Sequence, residues 1–120
     1  SYWCNHGTAD DDTIALLEHM QGKRIIIIGT LGAARESAHA QKVCKNVENL
    51  VRQQNTLIGH YLCRGSIDLA RTARRMRIPE GEKGYLSPER FEKQKESQGH
   101  PNAAELAQCQ TEVKEFLKAL

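Results

Sequence analysis

The sequence predicts an α/β fold, a parallel sheet with helices packed against it, on three observations. Arg24-Ile-Ile-Ile-Ile-Gly-Thr-Leu-Gly-Ala33 begins with a run of β-branched residues and runs into Gly29 and Gly32, the pattern of a strand buried on both faces and followed by a sharp exit. A helix-period pattern comes next, with Ala40, Val43, Cys44, Val47, Leu50 and Val51 on a single face. A second strand-like run, Thr56 to Cys63, follows that helix. Strand, helix and strand thus stand in the order of a parallel crossover. In open α/β sheets ligands collect at the carboxyl ends of strands, so the loop from Gly29 to Ala33 is the first place to look for a site.

The elements on either side extend this grammar. Tyr2-Trp3-Cys4-Asn5-His6-Gly7-Thr8 reads as an opening loop with two adjacent aromatics. Asp10, Asp11 and Asp12 then suit the first turn of a helix, where carboxylates meet free N–H groups. Ile14, Leu17 and Met20 form that helix's apolar side, and Gly22 follows its last turn. Beyond the second strand, Arg64-Gly65 makes a turn and Ile67 to Met76 reads as a short helix with its arginines outward. Pro79 to Gly84 is a loop by composition, and Ser87-Pro88 caps a polar helix around Phe91. From Asn102 a last helix carries Leu106, Cys109, Val113, Phe116, Leu117 and Leu120 as a docking stripe. Two strands are too few for so many helix faces.

At 120 residues, 39% hydrophobic and 27% charged, the chain is sized for one domain, residues 1–120, of ordinary globular composition. The longest aliphatic run, Ile25 to Ile28, is far too short to span a bilayer. Ser-Tyr-Trp-Cys-Asn-His lacks the basic flank and apolar core of a signal peptide, so a cytoplasmic location is expected. Cys4, Cys44, Cys63 and Cys109 form no C-x-x-C pair, which fits reduced thiols on apolar faces. His6, His19, His39, His60 and His100 are dispersed without H-x-x-x-H spacing, so no metal site is spelled out. A net charge of +2 does not imply nucleic acid. Arg64, Arg71, Arg74, Arg75 and Arg77 nevertheless crowd a region whose only acid is Asp68. They read as a solvated face or as a docking patch for an acidic partner. No Ser-His-Asp or Cys-His constellation emerges, and the acids at 10–12 are explained by capping, so a hydrolase has no support.

Several motifs taken together carry a resemblance. Tyr-Trp-Cys-Asn-His-Gly-Thr-Ala-Asp from Tyr2, Gly-Lys-Arg-Ile-Ile-Ile-Ile-Gly-Thr-Leu-Gly-Ala to Ala33, Leu-Cys-Arg-Gly to Gly65 and Gly-His-Pro-Asn before a final amphipathic helix resemble the flavodoxin family. The closest likeness is to flavodoxin-like proteins with a Gly-Thr-x-Gly-Ala loop and a Cys-x-Gly turn. The resemblance spans nearly all of this chain and the later part of the family's domain. It implies a flavodoxin-like doubly wound parallel sheet of order 2-1-3-4-5, truncated at its amino-terminal side. Ser1 would then fall just after the third strand, with Arg24 to Ile28 as the fourth and Thr56 to Cys63 as the fifth. The first strand, the phosphate loop, the first helix and the second strand have no counterpart in these residues.

The resemblance further implies non-covalent FMN and one-electron or hydride-level transfer, the work of an electron-transport flavoprotein or oxidoreductase. Tyr2 and Trp3 would meet the isoalloxazine ring, with Cys4, Asn5, Gly7 and Thr8 completing their loop. Gly29, Thr30, Leu31, Gly32 and Ala33 would meet the ring's pyrimidine edge, and Cys63, Arg64 and Gly65 would border it. Chemically, a flat electron-poor ring favours aromatic stacking, and backbone dipoles near its nitrogens set which redox state is preferred. A redox partner would dock through Arg64, Arg71, Arg74 and Arg75. The alternative expectation is a domain that binds no flavin and acts through oligomerisation or a complementing chain, because the isoleucine strand would leave an unpaired sheet edge.

Overall fold

The computed structural model describes residues 1–120. Its strands are β1 (Tyr2–Asn5), β2 (Thr8–Ala9), β3 (Arg24–Leu31) and β4 (Thr56–Arg64). Its helices are α1 (Asp11–His19), α2 (Ala38–Arg52), α3 (Leu69–Ala73), α4 (Pro88–Lys95) and α5 (Ala103–Lys118), with a 3-10 turn at Arg74–Arg77. The strands form a single sheet in the order β2-β1-β3-β4. β1 and β4 flank β3 in parallel, and β2 returns antiparallel along the outer side of β1. The result is an α/β domain with a mostly parallel sheet, as the sequence predicts.

Two strand boundaries differ from expectation. The opening stretch is a strand and hairpin rather than a loop, because Tyr2 and Trp3 pair with Gly29 and Thr30. Polar Asn5 and Thr8 pair beside the turn, so an alternation signal only a few residues long was hidden by turn-forming chemistry. β3 likewise runs through Gly29, Thr30 and Leu31, so the true loop starts at Gly32. Glycine's small size, rather than its freedom to bend, explains Gly29: a methyl group there would sit inside the Tyr2 ring.

Local chemistry sets the helix starts. Asp10, Ser37, Asp68, Ser87 and Asn102 each cap a helix by accepting from an N–H three residues on. Asn102 and Glu105 form a reciprocal capping box. The short helix expected from Ile67 begins only at Leu69, capped by Asp68, and tightens into the 3-10 turn across the arginines.

The main core lies between the sheet and α2. Tyr2, Ile27, Leu31 and Leu62 meet Ala40, Val43, Val47 and Val51, with Ala9 and Leu17 closing one end. On the opposite face α5 covers β4, where Tyr61 donates to the Glu105 carbonyl at 2.8 Å and Phe116 lies over Gly59. The expected docking stripe of α5 is only half used. Cys109, Val113 and Phe116 are partly buried, whereas Leu106, Leu117 and Leu120 are all more than half exposed. α5 packs on β4, the outermost strand, which offers too narrow a strip to receive the whole stripe.

Candidate functional site

The parallel strands β1, β3 and β4 deliver Asn5, Leu31 and Arg64 to the same end of the sheet. Side chains alternate along β1, so adjacent aromatics part company. Tyr2 is 5% exposed and faces the α2 core, whereas Trp3 is 53% exposed on the other face. Trp3 pairs laterally with half-buried Thr30, and Thr30 pairs with buried Cys63. The carboxyl end of the sheet therefore presents an indole beside a hydroxyl, with a buried thiol next in the row on β4.

Trp3 is held by its backbone. Its N–H donates to Asp10 Oδ1 at 3.1 Å, and its carbonyl accepts from the Asp10 N–H at 3.0 Å. Asp10 also accepts from the Thr13 N–H and hydroxyl, so the cap of α1 and the anchor of Trp3 are one residue. Burial pushes the pKa of this carboxyl up, but the hydrogen bonds from Trp3 and Thr13 outweigh it and leave the group below the usual carboxylate range. The sequence marked Asp10 as a cap only; its grip on Trp3 spans a hairpin and has no linear signature.

The remaining predicted residues divide. His6 and Gly7 both have positive φ, 51° and 81°, which makes the hairpin turn a tight one. Asn46 of α2 donates to the Gly7 carbonyl at 2.8 Å. Thr8 lines a groove with Ile14, Asn46 and Leu50. Gly7 and Thr8 thus turn toward α2 and do not join the 29–33 loop. Leu31 is core, and Ala33 packs against it. Ile67 packs directly on Gly32. The Gly32 carbonyl accepts from Arg64 Nε at 3.1 Å, and the Leu31 carbonyl accepts from the Gly65 N–H at 2.7 Å. Those bonds tie the loop to the turn after β4, so Arg64 and Gly65 do border the same place. Cys4, half-buried with its thiol pushed up by burial, is not an activated nucleophile.

Tyr2 requires a correction. Expected against a flavin ring beside Trp3, it is locked inside the sheet with its ring over Gly29 and its hydroxyl 2.6 Å from His60 Nε2. His60 Nδ1 in turn lies 3.1 Å from Glu48 Oε2. A carboxylate only accepts, so the neutral imidazole donates from Nδ1 to Glu48 and accepts a hydrogen bond from the Tyr2 hydroxyl at Nε2. Burial pushes the Tyr2 hydroxyl well above its ordinary range and pushes the His60 imidazole down, the latter opposed by Glu48. This buried chain draws on β1, α2 and β4, which is why sequence spacing does not reveal it.

A flavin ring is the group to test against this edge. An exposed indole with a hydroxyl beside it fits stacking on one face of such a ring, while the carbonyls of Leu31 and Gly32 are already engaged. The fold is that of an α/β domain with a mostly parallel sheet and helices packed on both faces. The chain belongs to the flavodoxin family: a flavodoxin-domain family model matches residues 1–117. It is also 25% identical over 122 aligned positions to the flavodoxin-like domain-containing protein BilS of Clostridioides difficile (strain CD3), across 97% of this chain. The chain spans 66% of that relative's length. No helix is long and apolar enough to cross a membrane.

Proposed function

We propose that this domain serves FMN-dependent electron transfer, with the isoalloxazine ring lying at the carboxyl end of β1 and β3 against Trp3 and beside Thr30. The observation that carries this reading is Trp3: a large aromatic left 53% exposed, with its backbone anchored at both polar groups by Asp10. An anchored backbone presenting an uncovered indole suits stacking against a ring. When bound, FMN supplies the redox chemistry; this chain's residues bind and orient the ring and shield one of its faces. Arg71, Arg74 and Arg77 are exposed and make no ion pair, which suits docking of an acidic redox partner. Arg64 and Arg75 are spent otherwise, each donating to a backbone carbonyl.

The test is an FMN titration followed by flavin fluorescence, with Trp3→Ala alongside. Saturable quenching by the wild-type chain that weakens at least tenfold in Trp3→Ala is the expected result. Absence of quenching at high protein concentration overturns the reading for this chain by itself.

One observation favours a second reading, in which the domain works through a sheet-completing partner and needs no flavin. β1 pairs with β3 only at Gly29 and Thr30, so Arg24 to Ile28 have a strand neighbour on the β4 side alone. Such a half-open ladder with half-buried isoleucines is a template for another strand. A colourless dimer in light scattering that dissociates when Ile26 is replaced by proline would support it, and a monomer at all concentrations would remove its homo-oligomeric form.

A further inference from the structure

We propose that Cys44, Glu48 and His60 form a binding site for a divalent transition-metal ion of the zinc type, separate from the edge around Trp3. The Cys44 Sγ, a Glu48 carboxylate oxygen and a His60 ring nitrogen all lie within 4.8 Å of one another. Cys44 and Glu48 stand four residues apart on α2, the spacing that stacks two side chains on one helical face. His60 comes from β4, the strand on which that helix packs.

The geometry is close to what the ion requires. Zinc bonds to sulfur at about 2.3 Å and to nitrogen or oxygen at about 2.0–2.2 Å, so tetrahedral ligand atoms lie roughly 3.3–3.6 Å apart. His60 Nδ1 and Glu48 Oε2 are already 3.1 Å apart. Closing the site therefore asks mainly for an approach of about 1 Å by the Cys44 sulfur, within reach of a side-chain adjustment on a fixed helix.

The surroundings are divided in a way that suits coordination. Glu48 Oε1 faces Arg52 at 3.6 Å while Oε2 faces His60, so the ion pair leaves one oxygen for a metal. The far nitrogen of His60 touches the Tyr2 hydroxyl at 2.6 Å. Metal-bound histidines are oriented by a hydrogen bond that they donate from the other nitrogen, so the Tyr2 hydroxyl, a donor in the metal-free chain, becomes the acceptor when the ion binds. A groove lined by Arg35, Gln41, Lys45 and Arg52 opens onto Cys44 and Glu48 and provides an entry path. His60, with its Nδ1 3.1 Å from Glu48 Oε2, has a side chain only 6% exposed. The donor set of thiolate, imidazole and carboxylate selects zinc or cobalt over magnesium and calcium, which prefer oxygen alone. Three cations at the mouth lower the affinity for any cation and favour water or a small anion as the fourth ligand.

Binding balances as follows. The metal takes Nδ1 of neutral His60, whose ring proton moves to Nε2, and the Tyr2 hydroxyl turns to accept it. The Cys44 thiol loses one proton to solvent, and no oxidation occurs.

The test is titration of the chelator-stripped, reduced chain with Co2+, read by the thiolate-to-cobalt charge-transfer band in the near ultraviolet, with Zn2+ added afterwards. One equivalent of Co2+ should produce the band and Zn2+ should abolish it. Cys44→Ser should eliminate the band, His60→Gln should weaken binding at least tenfold, and Tyr2→Phe should weaken it by about tenfold. Cys109→Ser should leave it unchanged. No band, or a band that survives Cys44→Ser, overturns the proposal. Should the variants fail to fold, alkylation of the wild-type chain with peptide mapping decides: Zn2+ is expected to shield Cys44 and not Cys4, Cys63 or Cys109. Equal labelling of Cys44 with and without Zn2+ overturns it.

Discussion

An aromatic ring lies over a glycine on each face of the sheet, and the two arrangements differ in what holds the ring. On the α2 face the Tyr2 ring covers Gly29, its hydroxyl is bonded to His60, and it is 5% exposed. On the α5 face the Phe116 ring covers Gly59, but Phe116 is only partly buried and sits on a helix with no fully buried residue. α2 by contrast buries Ala40, Val43, Val47 and Val51. One face has a finished core and the other is covered only over β4, which leaves Ile26, Ile28, Thr30 and Trp3 half-buried or exposed. Stability therefore concentrates on the first face, and surface available to a ligand or partner on the second.

Matched substitutions test that contrast, beginning with the glycines. Gly29→Ala should destabilise by about 3 kcal/mol or prevent folding, because neither the ring nor the backbone can yield. Gly59→Ala should cost about 1 kcal/mol, since a half-exposed phenyl ring on a movable helix can shift. Urea unfolding of the two variants checks this, and equal losses would erase the distinction between faces. Next come the valines. Val47, with no exposed surface, should lose about 2 kcal/mol on change to alanine, and half-buried Val113 less than about 1 kcal/mol. Thermal melts of both variants read the difference.

Asp10 joins the two faces, because it caps α1 and fixes Trp3. Asp10→Ala should cost about 1–2 kcal/mol through loss of the cap and leave the partly buried N–H of Trp3 without its side-chain acceptor. Its ionisation gives a pH test. Asp10 and Glu105 are both held below the usual carboxylate range; burial raises each, but hydrogen bonds outweigh it, from Trp3 and Thr13 to one and from Asn102 and His100 to the other. A depressed folded-state value contributes stability that is fully present above the unfolded carboxylate range of about 4 and is lost as pH falls through the folded one. The melting temperature of the wild type should thus fall below about pH 4, and the gap between it and Asp10→Asn should narrow there. The smallest effect is expected at Trp3. Trp3→Ala should change stability by less than about 0.5 kcal/mol, as for other exposed positions, while impairing the FMN response. A large stability loss would make Trp3 a packing residue and remove its main claim to a ligand.

The sequence by itself determined the class of fold and most element starts. The isoleucine run, the period of α2 and the side chains at Asp10, Ser87 and Asn102 act over a few residues, where local sterics and hydrogen bonding decide conformation. It also marked Trp3, Thr30 and the Gly29–Ala33 segment as candidates through their motifs. Tertiary structure alone decided which of the two adjacent aromatics faces water, because a strand's facing depends on the register Tyr2–Gly29, a pairing 27 positions apart in the chain. It likewise brought Cys44, Glu48, His60 and Tyr2 together from three elements, and it left half of the α5 stripe uncovered. Local chemistry is written in neighbouring residues, whereas burial, register and side-chain clusters arise only when distant segments compete for the same sheet.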